Sequence, residues 1–256
     1  MVVSMDRWSG KVVIVTGASS GIGAATAEAL VESGLIVVGL ARRSELVEEH
    51  AKKISDKKGK LHAFKCDIRK EEDILKAFDW TTKNLGPVHI LINNADIGSG
   101  GKHLLEGKTE DWKAIFDVNV LGLCIATREA VKIMKENNIN GHIVHINSIA
   151  GHKLINIPGL NVYPGSKYAV TALTETLRQE LNHLGLKIKV TSVSPGFVET
   201  EMTTFNKNNT PERLAILNSS PSLKAEDIAD AIVYALSTSE HVQVHELTIK
   251  PVGESV

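Results

Sequence analysis

Short apolar runs rich in β-branched residues alternate with helical patterns along nearly the whole chain. This alternation is typical of βαβ units, in which a helix connects two parallel strands of one sheet. The first of these runs are apolar nearly throughout, which indicates strands that are buried on both faces. The sequence therefore predicts an α/β fold with a doubly wound, seven-stranded parallel sheet and helices on both faces.

The same pattern gives approximate bounds for the elements. The predicted strands are Val12–Thr16, Ile36–Ala41, Leu61–Lys65, Ile90–Asn93, His142–Ile146, Lys189–Val193 and Gln243–Ile249. The predicted helices are Ile22–Ser33, Ser44–Lys57, Lys70–Leu85, Thr109–Asn137, Tyr163–Leu184 and Ala225–Leu236. Gly34 is expected to close the first helix, because glycine is common just after the last helical residue.

The chain has 256 residues, of which 43% are hydrophobic and 23% are charged. This length is ordinary for one α/β domain whose sheet is covered on both faces. The stretch between Pro195 and Pro221 is rich in Thr, Asn and Ser and shows no clear period, as lids and binding loops do. We therefore expect residues 1–256 to form a single domain with a substrate-binding loop near residues 196–221.

The charge balance excludes some classes of partner. A net charge of −1, from 29 basic and 30 acidic side chains, gives no excess of positive charge that would attract nucleic acid or an anionic membrane. No apolar run approaches the roughly 18 residues of a membrane span, and the N-terminus lacks a signal-peptide core. Cys66 and Cys124 look like small apolar residues, and no His or Cys spacing predicts a metal site. We expect a cytoplasmic protein with no nucleic-acid partner, membrane span or metal.

A glycine-rich turn lies between the first strand and the first helix. Gly17, Gly21 and Gly23 occur in Thr16-Gly-Ala-Ser-Ser-Gly-Ile-Gly. Glycines at such a junction allow close approach of the backbone to a pyrophosphate, and the helix N-terminus supplies N–H groups. A glycine-rich turn without a ligand is the alternative, but the place of this one within a βαβ unit favours dinucleotide binding.

Tyr163 and Lys167 form a Y-x-x-x-K pair far downstream. Residues four apart lie on one face of a helix, so the ammonium can be held beside the phenol. An ammonium in that position favours the phenolate, and such a phenol can take a proton from an alcohol or give one to a carbonyl. Together with the glycine turn, the pair predicts a chain that binds a dinucleotide and transfers a hydride.

The spacing T-G-x-x-x-G-x-G, combined with Y-x-x-x-K, resembles the short-chain dehydrogenase/reductase family and implies a Rossmann-type sheet. Further motifs of that family follow in order from end to end of the chain: Asn93–Asp96, Asn119 within Asp117–Gly122, Ser148 after the fifth strand, and Pro195-Gly196 after the sixth. Within the family, Met5–Lys11, Gly151–Lys153 and Ile249–Pro251 resemble the insect farnesol dehydrogenase group and a vertebrate steroid ketoreductase.

The resemblance implies a catalytic tetrad of Asn119, Ser148, Tyr163 and Lys167. Tyr163 would be the general acid/base, and Lys167 would favour its phenolate while holding the ribose of the nicotinamide nucleotide. Ser148 would orient the substrate oxygen, since orientation contributes much of the rate. Asn119 would hold a water that links Lys167 to solvent. The alternatives are that Ser148 is a simple turn residue and that Asn119 is a structural residue bonding the neighbouring strand.

The end of the second strand predicts that the cofactor is NADP and not NAD. An NAD-preferring site places an acidic residue there, about twenty residues past the glycine turn. In this sequence Ala41 occupies that position, and Arg42 and Arg43 follow it. Their guanidinium groups can bind a 2′-phosphate. Two solvated arginines are the alternative, which is weakened because a helix dipole disfavours cations at its N-terminus.

Other cofactor contacts are implied by the resemblance at the remaining strand ends. Asp67 would accept from the adenine amino group, with help from the backbone of Ile68, and residues after the sixth strand would flank the nicotinamide. The complete predicted set is Gly17, Ser19, Ser20, Gly21, Ile22, Gly23, Arg42, Arg43, Asp67, Ile68, Asn94, Ala95, Tyr163, Lys167, Pro195, Gly196, Val198 and Thr200.

Two positions depart from the family pattern. Asp96 replaces the glycine of an N-N-A-G motif, so its carboxylate is expected either to face solvent or to alter the loop 96–101. Pro164 and Gly165 follow Tyr163, but proline in the first helical turn removes only an N–H that has no helical partner. Neither departure is expected to put catalysis in doubt.

The predicted activity is NADP-dependent interconversion of a hydrophobic alcohol and its carbonyl, with farnesol to farnesal the best candidate. Lys153 is the one cation near the predicted substrate region that could contradict this. The alternatives are a steroid, retinoid or general carbonyl reductase, a non-catalytic NADP(H)-binding sensor, and dehydratase or epimerase chemistry. The resemblance also implies a homodimer or homotetramer. The apolar side chains that favour a hydrophobic substrate are Ile149, Leu154, Ile155, Ile157, Leu160, Phe197 and Met202.

Overall fold

The computed structural model describes residues 3–99, 101–204, 215–216 and 219–254. Its strands are β1 Val12–Thr16, β2 Ile36–Ala41, β3 Lys60–Lys65, β4 Val88–Asn93, β5 His142–Ile146, β6 Lys189–Pro195 and β7 Glu246–Ile249. They form one parallel sheet of seven strands in the order β3-β2-β1-β4-β5-β6-β7. The doubly wound sheet predicted from the sequence is confirmed.

Helices cover both faces of this sheet, as predicted. They are α1 Gly21–Glu32, α2 Ser44–Lys53, α3 Glu71–Leu85, α4 Thr109–Phe116, α5 Leu123–Glu136, α6 Tyr163–His183, α7 Glu201–Thr204 and α8 Ala225–Ser237. Apolar residues of α1, α2 and α8 form one core with the sheet, and those of α3, α5 and α6 form a second. Val13 and Val15 lie in the first core and Ile14 in the second, because successive side chains of a strand point to opposite faces.

The long helix predicted over Thr109–Asn137 is divided. A π-helical segment, Asp117–Gly122, separates α4 from α5. The backbone hydrogen bonds of such a segment span five residues and not four as in an α-helix, and a pattern of helical period does not reveal it. Asn119 lies within it and is buried. The interruption therefore falls at a residue that the sequence had marked as functional.

Several other bounds differ from the prediction by one to four residues, and the two largest differences are at β7 and α2. β7 begins at Glu246 and not at Gln243. Gln243 and Val244 contact β6 through side-chain hydrogen bonds: the Val190 amide donates to Gln243 Oε1 at 3.1 Å, and Thr191 Oγ1 donates to the Val244 carbonyl at 2.7 Å. An alternating sequence pattern cannot distinguish such side-chain bonds from the backbone pairing of two strands. α2 ends at Lys53, because Ile54 leaves the helix and is buried in the first core.

The strand order places a crevice at the carboxyl ends of β1 and β4. The chain moves outward from β1 to β3 and returns to the other side of β1, so the loops after β1 and β4 diverge. Of the predicted loop near 196–221, residues 205–214 and 217–218 lie outside the described residues. Within the described part of the chain, no helix is both long and apolar enough to cross a membrane.

Candidate active site

A cavity of about 670 Å³ opens at the carboxyl ends of the strands and extends from the glycine turn to the loop after β6. Gly23, Asn119 and Lys167, which were predicted for the site, do not line it and lie behind its wall. The predicted residues that line it are Gly17, Ser19, Ser20, Gly21, Ile22, Arg42, Arg43, Asp67, Ile68, Asn94, Ala95, Ser148, Tyr163, Pro195, Gly196, Val198 and Thr200.

The glycine turn is required by close backbone packing. Gly17 has φ +71°, and a Cβ there would lie 2.9 Å from Ala95 Cα. A Cβ on Gly23 would collide with the carbonyl oxygen of Gly17. Ser20, the residue before α1, makes no side-chain hydrogen bond to the first turn of that helix. Because amides at a helix N-terminus favour a phosphate group, the turn fits the pyrophosphate of a dinucleotide.

The motif after β4 ties the two sides of the crevice together. Thr16 Oγ1 accepts from the amides of Asn94 and Ala95, each at 3.0 Å. Asn94 Nδ2 donates to the carbonyls of Thr16 at 2.9 Å and Gly17 at 3.2 Å. These bonds hold the glycine turn against β4, so the predicted cofactor residues Asn94 and Ala95 also have a structural role.

Tyr163 and Lys167 lie in the first turns of α6, where Asp96 from the loop after β4 joins them. Tyr163 Oη donates to Asp96 Oδ2 at 3.1 Å, and Lys167 Nζ lies 3.0 Å from the same oxygen. Lys167 Nζ also donates to the carbonyl of Ile146 at 3.1 Å and lies 5.6 Å from the centre of the Tyr163 ring. The predicted pair is therefore assembled, and a carboxylate bonds both of its functional groups.

Of the two alternatives expected for Asp96, a carboxylate that faces solvent is wrong. Its side chain is only 13% exposed and that of Lys167 only 2%. A buried ammonium is costly without a counter-charge, which accounts for the inward orientation of the carboxylate. Pro164 does not interrupt α6, as predicted, because it occupies the first turn.

Asn119 and Ser148 both make structural hydrogen bonds. Asn119 Oδ1 accepts from the Ile97 amide at 3.0 Å, and its Nδ2 donates to the Ile97 carbonyl at 3.1 Å and to Ser166 Oγ at 3.2 Å. Ser148 Oγ accepts from the Ala150 amide at 3.1 Å and lines the cavity. Since that bond uses an oxygen lone pair, the Ser148 hydroxyl proton is available to a substrate oxygen. A water-holding role for Asn119 stays a prediction.

A buried chain of hydrogen bonds lies below this end of the cavity. Asn93 Nδ2 donates to Thr127 Oγ1 at 2.9 Å, and Thr127 Oγ1 lies 3.3 Å from His145 Nε2. His145 Nδ1 lies 2.8 Å from Thr174 Oγ1, which donates to the Val170 carbonyl. We therefore assign the proton of neutral His145 to Nδ1. Burial lowers the pKa of His145 to about 3, so the imidazole in this series of hydrogen bonds is neutral.

At the other end of the cavity, near the glycine turn and the end of β2, Arg43 and Glu201 form an exposed ion pair. Arg43 Nη2 lies 2.8 Å from Glu201 Oε2 and donates to Ser20 Oγ at 3.3 Å. The side chains of Arg43 and Glu201 are 48% and 51% exposed. Asp67 accepts from Arg69 Nε at 2.9 Å, and this hydrogen bonding lowers the pKa of the Asp67 carboxyl to about 2. The carboxylate thus stays ionised at neutral pH.

Many of the cavity wall residues in the segments near Tyr163 and Ser148 are apolar. Leu154, which was predicted for this region, is 80% exposed and does not line the cavity, and exposed Lys153 does not line it either. The cation that could contradict a hydrophobic substrate therefore lies outside the wall. The predicted apolar residues that line it are Ile149, Ile155, Ile157, Leu160, Phe197 and Met202.

Three carboxylates that line this cavity, those of Asp96, Glu201 and Glu254, were not predicted to take part in the site. Asp96 was noticed only as a departure from a motif, although an acidic residue in place of the motif glycine was itself a signal. Glu254 gave no sequence signal, since it lies near the end of the chain. Its side chain is 2% exposed and lines the cavity, where Oε1 accepts from the Phe197 amide at 3.0 Å.

Comparison with known proteins agrees with this geometry. Residues 11–211 match the family described as short chain dehydrogenase. The chain belongs to that family. Its members use NAD(P) and act as oxidoreductases on alcohol or carbonyl groups. Among the described residues, no group of His, Cys, Asp and Glu could hold a metal ion.

Individual relatives cover almost the entire chain. It is 49% identical over 251 residues to farnesol dehydrogenase of Aedes aegypti, covering 98% of this chain and 99% of the relative. It is 45% identical to dehydrogenase/reductase SDR family member 11 of Gallus gallus, covering 96% and 98%. An alcohol dehydrogenase from the archaeon Thermococcus sibiricus, solved with 5-hydroxy-NADP, has a TM-score of 0.83 at 26% identity and covers 96% of this chain and 98% of its own. The predicted family and group are confirmed.

Proposed function

We propose that this chain is an NADP-dependent oxidoreductase that interconverts a hydrophobic alcohol and its carbonyl, with farnesol and farnesal the best candidates. One observation carries the proposal: Tyr163 and Ser148 line a single cavity whose wall at that end is apolar, while two arginines line its other end. The likeness to Aedes aegypti farnesol dehydrogenase supports the choice of an isoprenoid.

The residues at the catalytic end have separable tasks. NADP(H), when bound, supplies or accepts the hydride. Ser148 binds the substrate oxygen and holds it near the phenol, so that Tyr163 can give a proton to a carbonyl or take one from an alcohol. Lys167 lies behind Tyr163 and supplies the positive charge of the pair. The apolar wall excludes water from around the reacting oxygen.

The preference for NADP rests on the end of β2. Ala41 is buried there and offers no carboxylate to a ribose, while Arg42 and Arg43 line the cavity. A 2′-phosphate carries nearly two negative charges, and guanidinium groups bind it well. The glycine turn and the other predicted cofactor residues along the same cavity support binding of the whole dinucleotide.

The substrate proposal depends on the lack of a free cation beside the catalytic residues in the described part of the cavity. Arg42 and Arg43 are the arginines that line it, and both belong to its adenosine end. An anionic substrate would therefore find Asp96 near the phenol and no positive partner at the surface. A long isoprenoid or another apolar alcohol fits that environment.

A substrate panel tests this function directly. Purified protein would be assayed with NADP, NADPH, NAD and NADH against terpenoid alcohols, retinoids, steroids, small dicarbonyls and a small hydroxy acid. We expect turnover with NADP(H) and a preference for farnesol or farnesal. Preference for steroids or retinoids would favour the general carbonyl reductase, and preference for the hydroxy acid would contradict an apolar substrate.

The same panel separates the remaining alternatives. A non-catalytic sensor would bind NADPH without consuming it, and a dehydratase or epimerase would convert substrate without net redox change. Tyr163→Phe is the matched control, because it removes one oxygen at the proposed general acid/base.

We also propose that residues 1–256 act as one dinucleotide-binding catalytic domain and that two or four copies assemble. β1 and β7 belong to one sheet, which supports the single domain. Exposed Phe116 and Leu121 beside the α4–α5 junction and Tyr168 on α6 support pairing through those helices. Light scattering after size-exclusion chromatography gives the mass, and a monomer would contradict the assembly.

A further inference from the structure

Asp96 covers the catalytic lysine. Asp96 lines the cavity, whereas Lys167 does not and is 2% exposed. One carboxylate oxygen, Oδ2, contacts both the Lys167 ammonium at 3.0 Å and the Tyr163 hydroxyl at 3.1 Å. The carboxylate is therefore close enough to affect both the charge of the lysine and the proton of the phenol.

We propose that Asp96 is a positioning residue that keeps Tyr163 protonated at neutral pH and thereby makes this site a carbonyl reductase that oxidises alcohols only at higher pH. The inference rests on the function proposed above, and it adds the direction in which the site works. It concerns a residue at which this chain departs from the N-N-A-G pattern of its family.

The charges and distances around the phenol carry this inference. A nearby positive charge favours a phenolate, and a nearby negative charge disfavours it. Lys167 lies 5.6 Å from the centre of the Tyr163 ring, while the carboxylate accepts the phenol hydrogen bond at 3.1 Å. Asp96 also offsets the charge of Lys167 by pairing with it. Both effects favour the protonated phenol, because only that form can donate this hydrogen bond and because the paired ammonium attracts a phenolate less strongly.

A protonated phenol is the form that carbonyl reduction consumes. The carbonyl carbon accepts a hydride from NADPH, which is oxidised to NADP⁺, and the carbonyl oxygen takes the proton of Tyr163 Oη to give the alcohol. The phenolate that remains then takes a proton from solvent. Oxidation needs the opposite starting form, because the phenolate must remove the proton of the alcohol.

Other charged groups face the same region and must be considered. His145 on β5 lies close enough to Lys167 to feel its charge, but it is neutral because burial lowers its pKa. His152, after Ser148, lies 3.4 Å from Glu246 on β7. The remaining charged residues that line the described cavity are Arg42, Arg43, Asp67, Glu201 and Glu254. Asp96 is the carboxylate that accepts the phenol hydrogen bond, at 3.1 Å.

Ionisation of Tyr163 can be measured without substrate by the ultraviolet absorbance of tyrosinate. Subtracting the absorbance titration curve of Tyr163→Phe from that of the unaltered protein leaves the curve of Tyr163 alone. The same subtraction is then made between Asp96→Asn and the double variant that carries both Asp96→Asn and Tyr163→Phe. We expect the midpoint to fall by about one pH unit or more when the carboxylate is neutralised. Asp67→Asn, which removes a charge from the far end of the same cavity, should leave it unchanged.

Kinetics provides the second readout. The pH profile of kcat for alcohol oxidation should move to lower pH in Asp96→Asn by the same amount, with oxidation about tenfold faster at neutral pH. Asp96→Gly, which restores the family residue, should do the same and serves if Asp96→Asn does not fold.

An unchanged Tyr163 midpoint in Asp96→Asn, or an equal shift in Asp67→Asn, would overturn the proposal. If no variant turns over any substrate in the panel, the proposed function fails. The absorbance titration still decides the effect of Asp96 in that case, because it needs no substrate.

Discussion

The two ends of the cavity each hold an ion pair of similar length, but in different surroundings. Lys167 and Asp96 are 3.0 Å apart, with side chains 2% and 13% exposed. Arg43 and Glu201 are 2.8 Å apart, with side chains about half exposed. Removing one partner of a buried pair leaves an uncompensated charge, whereas an exposed pair contributes between 0 and about 1 kcal/mol. The catalytic end is therefore fixed, and the adenosine end can exchange partners when a ligand arrives.

The largest effect is expected at the fixed end. Tyr163→Phe should reduce turnover by at least about a hundredfold, because it removes a positioned general acid/base. Cofactor affinity should change little, since the hydroxyl that is lost bonds Asp96. Steady-state kinetics and a fluorescence titration with NADPH measure the two quantities. Retained turnover would remove Tyr163 from the mechanism.

Acid should destabilise the fixed end through His145. The folded pKa of this imidazole, about 3, lies below its usual value of 6.5, so stability is full above 6.5. As the pH falls from 6.5 toward 3, only the unfolded chain takes up this proton, and by pH 5 the loss is about 2 kcal/mol.

Urea unfolding at pH 7 and pH 5 measures that loss. Buried His142 titrates in the same direction, so a variant is needed to separate the two. Whatever its absolute stability, His145→Gln should lose less stability between these pH values than the parent. Equal losses in the two proteins would show that His145 is not the titrating group.

A smaller effect is expected where phosphate recognition is proposed. Ala41→Asp combined with Arg42→Ala should shift the ratio of kcat/KM for NADP to that for NAD toward NAD by roughly tenfold or more, through lost contacts and added repulsion. Arg43→Ala alone measures the share of the second arginine. Equal or better kcat/KM for NAD in the unaltered protein would refute the NADP assignment.

The smallest effect is expected at the exposed pair itself. Arg43 lowers the pKa of the Glu201 carboxyl, so this carboxylate is ionised and competes with a phosphate for the guanidinium. Glu201→Gln should lower KM for NADP by roughly two- to threefold and leave KM for NAD unchanged. Glu32→Gln, at the end of α1, breaks a similar exposed pair with Lys57 and is the matched control. A rise in KM for NADP would show that Glu201 assists binding instead of competing.

Most of the fold could be predicted because buried parallel strands and their helices have strong periodic patterns. The spacing of Tyr163 and Lys167 and the glycine turn also follow local rules, so their positions at a helix start and at a strand–helix junction could be read from the sequence. The position of Asp96 depended on contacts between a loop after β4 and a helix far along the chain. The π-helical segment at Asn119 and the role of Glu254 likewise depend on tertiary contacts that no local pattern encodes.

The strand order also has a consequence for synthesis on the ribosome. β3, β2, β1 and β4 are adjacent in the sheet and are complete once residue 93 has been made, whereas Lys167 follows much later. At about 5–20 residues per second, the interval between them is roughly 4 to 15 s. We expect the nascent chain to pass through a stage in which the crevice at the carboxyl ends of β1 and β4 has formed. At that stage α6, which carries Tyr163 and Lys167, has not yet been made. The dinucleotide cofactor would then meet the growing polypeptide before its synthesis is finished.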